Sequence, residues 1–71
     1  MDNERLKILG MNIKIARLKA KISQEFLAEK IGVSRETISM IENGNQNTSA
    51  LNIIDIIRIL GASYEEIFKE V

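Results

Sequence analysis

The chain contains no cysteine, no histidine, no proline and no tryptophan among its 71 residues. Each absence excludes something. Without cysteine there is no disulfide, no thiolate metal site and no cysteine nucleophile, which fits a reducing compartment. Without histidine the commonest general base and metal ligand is missing. No glycine-rich phosphate loop occurs, and the one adjacent carboxylate pair, Glu65-Glu66, points apart on a helix. No nucleophile–base constellation can be drawn, so an enzyme is not expected, nor a metal, a cofactor or a small-molecule ligand. A long apolar run is lacking too. The opening stretch MDNERLKILG is charged, so neither a signal peptide nor a membrane span is expected. The basic residues do not form a polar face opposite a continuous apolar one, which argues against a membrane-surface helix.

What is present is apolar and helical in spacing. Hydrophobic residues make up 45% of the chain, many of them isoleucine and leucine, while aromatics are limited to Phe26, Tyr64 and Phe68. With charge balanced and apolar content high, the chain does not have the composition of a disordered one. Its length is near the size at which a single core just suffices, so residues 1–71 are expected to form one domain, with no room for a second.

Net charge is zero, but it is distributed unevenly. Residues 1–35 hold eight Lys/Arg and four Asp/Glu, a net of +4, and residues 36–71 hold two and six, a net of −4. Lys14, Arg17, Lys19 and Lys21 form a basic cluster, either a solvated helix face or a phosphate-contacting one. A neutral chain is expected to bind non-specific DNA weakly, because phosphate contacts supply that affinity.

The stretch that organises the chain is residues 23–44, SQEFLAEKIGVSRETISMIENG. Ser23 caps a short helix whose apolar face is Leu27, Ala28 and Ile31. Gly32 breaks the pattern where a positive φ is easiest to place. Ser34 caps a second helix with Ile38 and Ile41 inward, which leaves Arg35, Glu36, Ser39 and Met40 exposed. Small Ala28 falls where two crossing helices would need close approach.

This stretch resembles the helix-turn-helix of phage-repressor-like (Cro/XRE type) DNA-binding proteins. The match is carried by Gln24, Leu27-Ala28, Ile31-Gly32-Val33-Ser34, Thr37-Ile38-Ser39 and Ile41-Glu42-Asn43-Gly44. The resemblance implies an all-α, compact five-helix bundle of the lambda-repressor-like type, with the helix-turn-helix formed by helices 2 and 3. It implies a double-stranded DNA-binding transcriptional regulator with a recognition helix, residues 34–43, in the major groove. Arg35, Glu36 and Met40 then stand at the main base-reading positions, with Ser39 adaptable. Arginine can pair bidentately with guanine, glutamate can accept from cytosine N4, and methionine can touch a thymine methyl. Gln24, Ser34 and Thr37 lie nearer the backbone. Glu36 could equally serve the helix dipole, and Gln24 could simply assist the cap. In the family an arginine before the motif pairs with the glutamate ending the recognition helix, which implies an Arg17–Glu42 ion pair.

The flanks read as follows. Residues 4 to about 20 make a first helix with the stripe Leu6, Leu9, Ile13, Ala16 and Ala20, and Gly10 as a weak point. Ile8, Met11 and Ile15 fall off that stripe. The loop Asn43-Gly44-Asn45-Gln46-Asn47-Thr48 is uncharged where the family often carries lysine or arginine; Asn43 and Asn45 can still meet phosphate. Thr48 or Ser49 caps a fourth helix with the stripe Leu51, Ile54, Ile57 and Leu60, thickened by Ile53, Ile56 and Ile59. Gly61 ends it. Ser63 and Glu66 form a capping box for a fifth helix that carries Tyr64, Ile67, Phe68 and Val71.

One motif reads only a few base pairs, so the working unit is expected to be a homodimer on an inverted repeat, paired through helix 5 and the surplus isoleucines of helix 4. The alternatives are an antitoxin-like or other protein-interaction module using Ile8, Met11, Ile15, Phe26 and Ile59, or a restriction–modification controller. A cytoplasmic location follows from the presumed target and the missing export signal.

Overall fold

A computed structural model describes residues 3–71; the first two positions of the expected 1–71 domain lie outside the described residues. Five helices follow one another: α1 (Glu4–Lys19), α2 (Gln24–Ile31), α3 (Arg35–Glu42), α4 (Ala50–Leu60) and α5 (Tyr64–Phe68). No strand occurs among the described residues, so the architecture is all-α.

Serine starts four of the five helices. Ser23, Ser34, Ser49 and Ser63 each accept a hydrogen bond from the backbone N–H three residues on, those of Phe26, Thr37, Asn52 and Glu66. Each satisfies one of the donors that a helix start leaves unpaired. Of the two candidate caps for α4, Ser49 is the one used. At α5 the Glu66 carboxylate also accepts from the Ser63 N–H at 3.4 Å, completing the capping box.

Glycine ends three of them. Gly32, Gly44 and Gly61 all have positive φ. After each, the next residue's N–H reaches back to a carbonyl five residues earlier: Val33 to Ala28, Asn45 to Met40, Ala62 to Ile57. That bond pairs an orphan carbonyl of the last turn. The end of α1 makes the same closure, Ile22 N–H to Arg17 C=O, but with Lys21 in the left-handed position at φ 59°. A side chain there is strained, because Cβ crowds the neighbouring carbonyl. Lys21→Gly is therefore expected to stabilise the fold by about 0.5–1 kcal/mol, part of the relief being offset by glycine's larger unfolded-state entropy. Thermal unfolding followed by circular dichroism should show a Tm higher by a few degrees; an unchanged or lower Tm would mean that the left-handed turn stores no strain.

The core is aliphatic. Leu9, Ile13 and Ala16 of α1, Leu27 and Ala28 of α2, and Ile38 and Ile41 of α3 meet Ile53, Ile56, Ile57 and Leu60 of α4 and Ile67 of α5. Three expectations change here. The inward stripe of α4 is Ile53, Ile56, Ile57 and Leu60, not the set beginning at Leu51; Leu51 is 73% exposed and Ile54 half-buried. Both sets have helical spacing, and the one that faces α2 wins. In α5 only Ile67 enters the core, while Tyr64 and Phe68 remain exposed. In α1, Leu6 and Ala20 are half-buried at the ends of the stripe.

Gly10 is not a weak point but a crossing. A Cβ built on it would lie 2.3 Å from the Ile41 carbonyl oxygen and 2.6 Å from that of Glu42. α1 therefore passes directly over the backbone at the C-terminal end of α3. Gly44 repeats the device just beyond, where a Cβ would lie 2.7 Å from the Cα of Lys7. α5 runs back along α1 on another side. The Asn12 amide donates to the Ile67 and Lys69 carbonyls at 2.8 and 2.9 Å, and Arg5 Nε donates to the Val71 carbonyl at 2.7 Å.

Candidate nucleic-acid interface

α3 is short, and its eight residues divide by face. Ile38 and Ile41 are 1% and 3% exposed and root the helix in the core. With those positions inward, helical spacing places Glu36, Ser39, Met40 and Asn43 on the opposite side, with Arg35, one turn before Ile38, at its flank. Arg35, Glu36, Met40 and Asn43 are exposed, and Ser39 is half-buried at the edge of the same face. The presented surface is thus one cation, one anion, a hydroxyl, a thioether and an amide, each able to meet a base edge or a phosphate.

The N-terminal end of α3 is held by its own cap. Ser34 Oγ accepts from the Thr37 N–H at 3.1 Å and lies 2.9 Å from Thr37 Oγ1. Both hydroxyls sit at a helix start whose remaining free N–H groups favour an anion. Glu36, also in that first turn, works against an anion there.

The C-terminal end is held by a buried network. Arg17 Nε donates to Glu42 Oε2 at 2.6 Å and Nη2 to Oε1 at 3.2 Å, a two-pronged pair that joins α1 to α3. Arg17 is 7% and Glu42 4% exposed. Arg17 Nη1 donates to the Ile22 carbonyl at 2.9 Å, so the guanidinium also fastens the α1–α2 turn. Gln24 Nε2 completes the set with a 3.0 Å bond to Glu42 Oε1. The first residue of α2 is thereby tied to the last residue of α3. An amide nitrogen carries two donors, so one N–H of Gln24 is left over by this bond.

The basic cluster before the motif breaks up in the fold. Arg17 is withdrawn into the Glu42 pair, and Lys19 reaches Glu66 at 3.3 Å on the far side, an exposed pair of small energetic weight. Lys14 and Lys21 remain exposed. The positive charge available beside α3 is therefore smaller than the sequence count suggests. Asn43 and Asn45 both lie exposed in the turn that follows α3, on either side of buried Gly44.

Sequence reasoning missed two contributors to this geometry. The Gln24–Glu42 bond is one: a glutamine at a helix start reads as a cap or a phosphate ligand, and its partner here lies 18 residues on. Gly10 was the other. Its spacing within α1, one step from the Leu9–Ile13 stripe, was the available signal, because a glycine bordering a buried face marks close backbone approach.

Among the described residues, no group of His, Cys, Asp and Glu could hold a metal ion, and no helix is long and apolar enough to cross a membrane.

The comparisons agree with this geometry. A helix-turn-helix family model matches residues 13–67. An uncharacterized helix-turn-helix-type transcriptional regulator from Archaeoglobus fulgidus is 43% identical over 56 residues, 79% of each chain. The control protein C.MunI from a Mycoplasma species is 36% identical over 58 residues, covering 82% of this chain and 78% of that one. Among solved structures, the restriction-modification controller protein C.AhdI from Aeromonas hydrophila superposes with a TM-score of 0.81 at 30% identity, over 89% of this chain and 96% of its own.

Proposed function

The chain belongs to the helix-turn-helix family of XRE-type DNA-binding transcriptional regulators, and from that premise we propose how its residues divide the work. α3 enters the major groove. Arg35, Glu36 and Met40 read base edges, with Ser39 at the margin. Ser34 and Thr37 at the start of α3, the spare amide N–H of Gln24, and Asn43 and Asn45 in the following turn contact phosphates. The observation that carries this reading is the division of α3, two isoleucines and Glu42 locked inward and Arg35, Glu36 and Met40 exposed outward.

With the chain neutral overall and the loop after α3 uncharged, little of the affinity comes from counter-ion release, and recognition leans on base contacts. We propose that residues 1–71 act as one non-catalytic DNA-binding unit in the cytoplasm. Two copies pair on an inverted repeat, through α5 with Tyr64 and Phe68 exposed and the flank of α4 with Leu51 exposed and Ile54 and Ile59 half-buried. The similarity to C.MunI and C.AhdI, the latter described as a restriction-modification controller, favours a controller role among regulators of this size.

Selection of binding sites from a randomised duplex pool tests this. An inverted repeat is expected, containing a guanine in each half-site. Arg35→Ala, run in parallel, should erase that guanine preference at a loss of about 1–3 kcal/mol per contact, leaving thermal stability unchanged because Arg35 is exposed. A pool that stays random at low salt would refute the reading.

A further inference from the structure

α1 has a second apolar face that the fold does not use. Met11, Ile15 and Leu18 are 51%, 47% and 56% exposed, and Ile8 is half-buried beside them. Their spacing is three, four, three. That is the seam spacing of a coiled coil, two apolar columns that stay in line over successive turns. The seam runs about 15 Å along the helix. It lies away from the Gly10 crossing with α3 and from the Leu9–Ile13–Ala16 face that fills the core.

The two borders of the seam differ. On one side Arg5, Asn12 and Lys19 are engaged with the last residues of the chain, through the Val71, Ile67 and Lys69 carbonyls and the Glu66 carboxylate. On the other side Lys7 and Lys14 stand seven residues apart, both exposed. The seam is therefore closed on one flank by α5 and lined on the other by two lysines.

We infer that the Ile8–Met11–Ile15–Leu18 seam of α1 docks an amphipathic helix of another protein, with acidic residues on the flank that meets Lys7 and Lys14. The charge row decides among occupants. A second copy paired antiparallel through the same seam would bring lysine row against lysine row. A parallel pair would bring it against the flank that α5 already covers. The chain's own α5 is five residues long, about half the length of the seam, and sits beside it. An anionic membrane would match the lysines, but a helix that lies in a bilayer buries a broad apolar face, and a two-column stripe is the narrower shape that another helix fills. Such docking leaves α3 uncovered, so the partner would be carried to DNA with the regulator.

The test uses the whole chain and two synthetic helices of about three heptads, identical in their Leu and Ile seam but carrying Glu on both flanks in one and Lys in the other. Fluorescence anisotropy should show the acidic helix bound at least tenfold more tightly than the basic one. Leu18→Glu should weaken the acidic helix at least tenfold and leave selected duplexes bound as before. The pair Lys7→Glu with Lys14→Glu should reverse the preference between the two helices; it alters charge without touching the seam, so it is read even if an apolar-to-Glu change perturbs folding. Equal binding of the two helices, or binding indifferent to Leu18→Glu, would overturn the inference. So would a self-association of the chain alone, seen by sedimentation, that Leu18→Glu abolishes, which would give the seam to a second copy. Flotation with phosphatidylcholine–phosphatidylserine vesicles that is lost with Leu18→Glu would give it to lipid and overturn the inference likewise.

Discussion

Replacing Glu42 by Ala is expected to cost about 3–5 kcal/mol of stability, the scale for removing one partner of a buried ion pair. The carboxylate accepts three hydrogen bonds, two from Arg17 and one from Gln24, and is 4% exposed. Its loss strands a guanidinium in a nearly closed site with only the Ile22 carbonyl for company. For a domain of this size a loss of that order takes much or all of the stability. Arg17→Ala should cost a similar amount for the mirror reason, a buried carboxylate left with the Gln24 amide alone. The double substitution Arg17→Met with Glu42→Leu removes both charges and keeps the volume, so it should recover most of the loss. Urea unfolding of this double variant beside Arg17→Met alone and Glu42→Leu alone closes the cycle. If the double variant were as unstable as the sum of the singles, the pair would not be the source of the effect. The pair also holds Gln24 in place, so the single variants should lose affinity for DNA even at temperatures where they stay folded.

Gly10→Ala is the second large effect, and its sign runs against local propensity. Within a helix, alanine is favoured over glycine by about 1 kcal/mol. Here the added methyl would sit 2.3 and 2.6 Å from two backbone oxygens and 2.8 Å from the Glu42 carbonyl carbon. These are main-chain atoms of α3, so no rotamer change relieves the overlap, and α1 and α3 must move apart. Overpacking of this kind costs about 1–3 kcal/mol, occasionally more. A net loss of about 2 kcal/mol lowers Tm by roughly 8–16 °C in a domain this small. A Tm equal to or above that of the parent would show that the two helices can separate freely at this crossing. Because the same movement pulls Glu42 from Arg17, Gly10→Ala and Glu42→Ala should not be additive.

The two positions also show what was legible in the sequence. The order of helices, the caps and the turn of the motif were readable because each depends on residues a few places apart. Ser34 with Thr37, or Ser63 with Glu66, is a local relation. So is the inward face of α3, where Ile38 and Ile41 have no competitors for the core. The inward face of α4 is ambiguous in the sequence because the helix is apolar nearly all round. Isoleucine at 53, 54, 56, 57 and 59 satisfies two overlapping helical faces, and only the position of α2 decides between them. Gly10 reads as a weak point because the atoms that need its missing side chain belong to Ile41 and Glu42, some thirty positions on. Lys21 gave no sign of its left-handed backbone, since the residue type that usually marks one is glycine. On the candidate interface, the sequence gathered the exposed face of α3 but overcounted its positive surroundings, because the burial of Arg17 and the pairing of Lys19 depend on Glu42 and Glu66.

The anchoring of α3 has a consequence for descent. The atoms that fix this helix are Ile38, Ile41, Glu42 and the carbonyls under Gly10, while Arg35, Glu36 and Met40 take no part in holding it. The two sets share no residue. Substitutions at the displayed positions therefore draw little on a small stability reserve, whereas most changes at the anchoring positions exhaust it. On the base-reading role proposed for 35, 36 and 40, a lineage carrying this scaffold can exchange one target sequence for another by a few replacements there, each of them viable as a folded protein along the way.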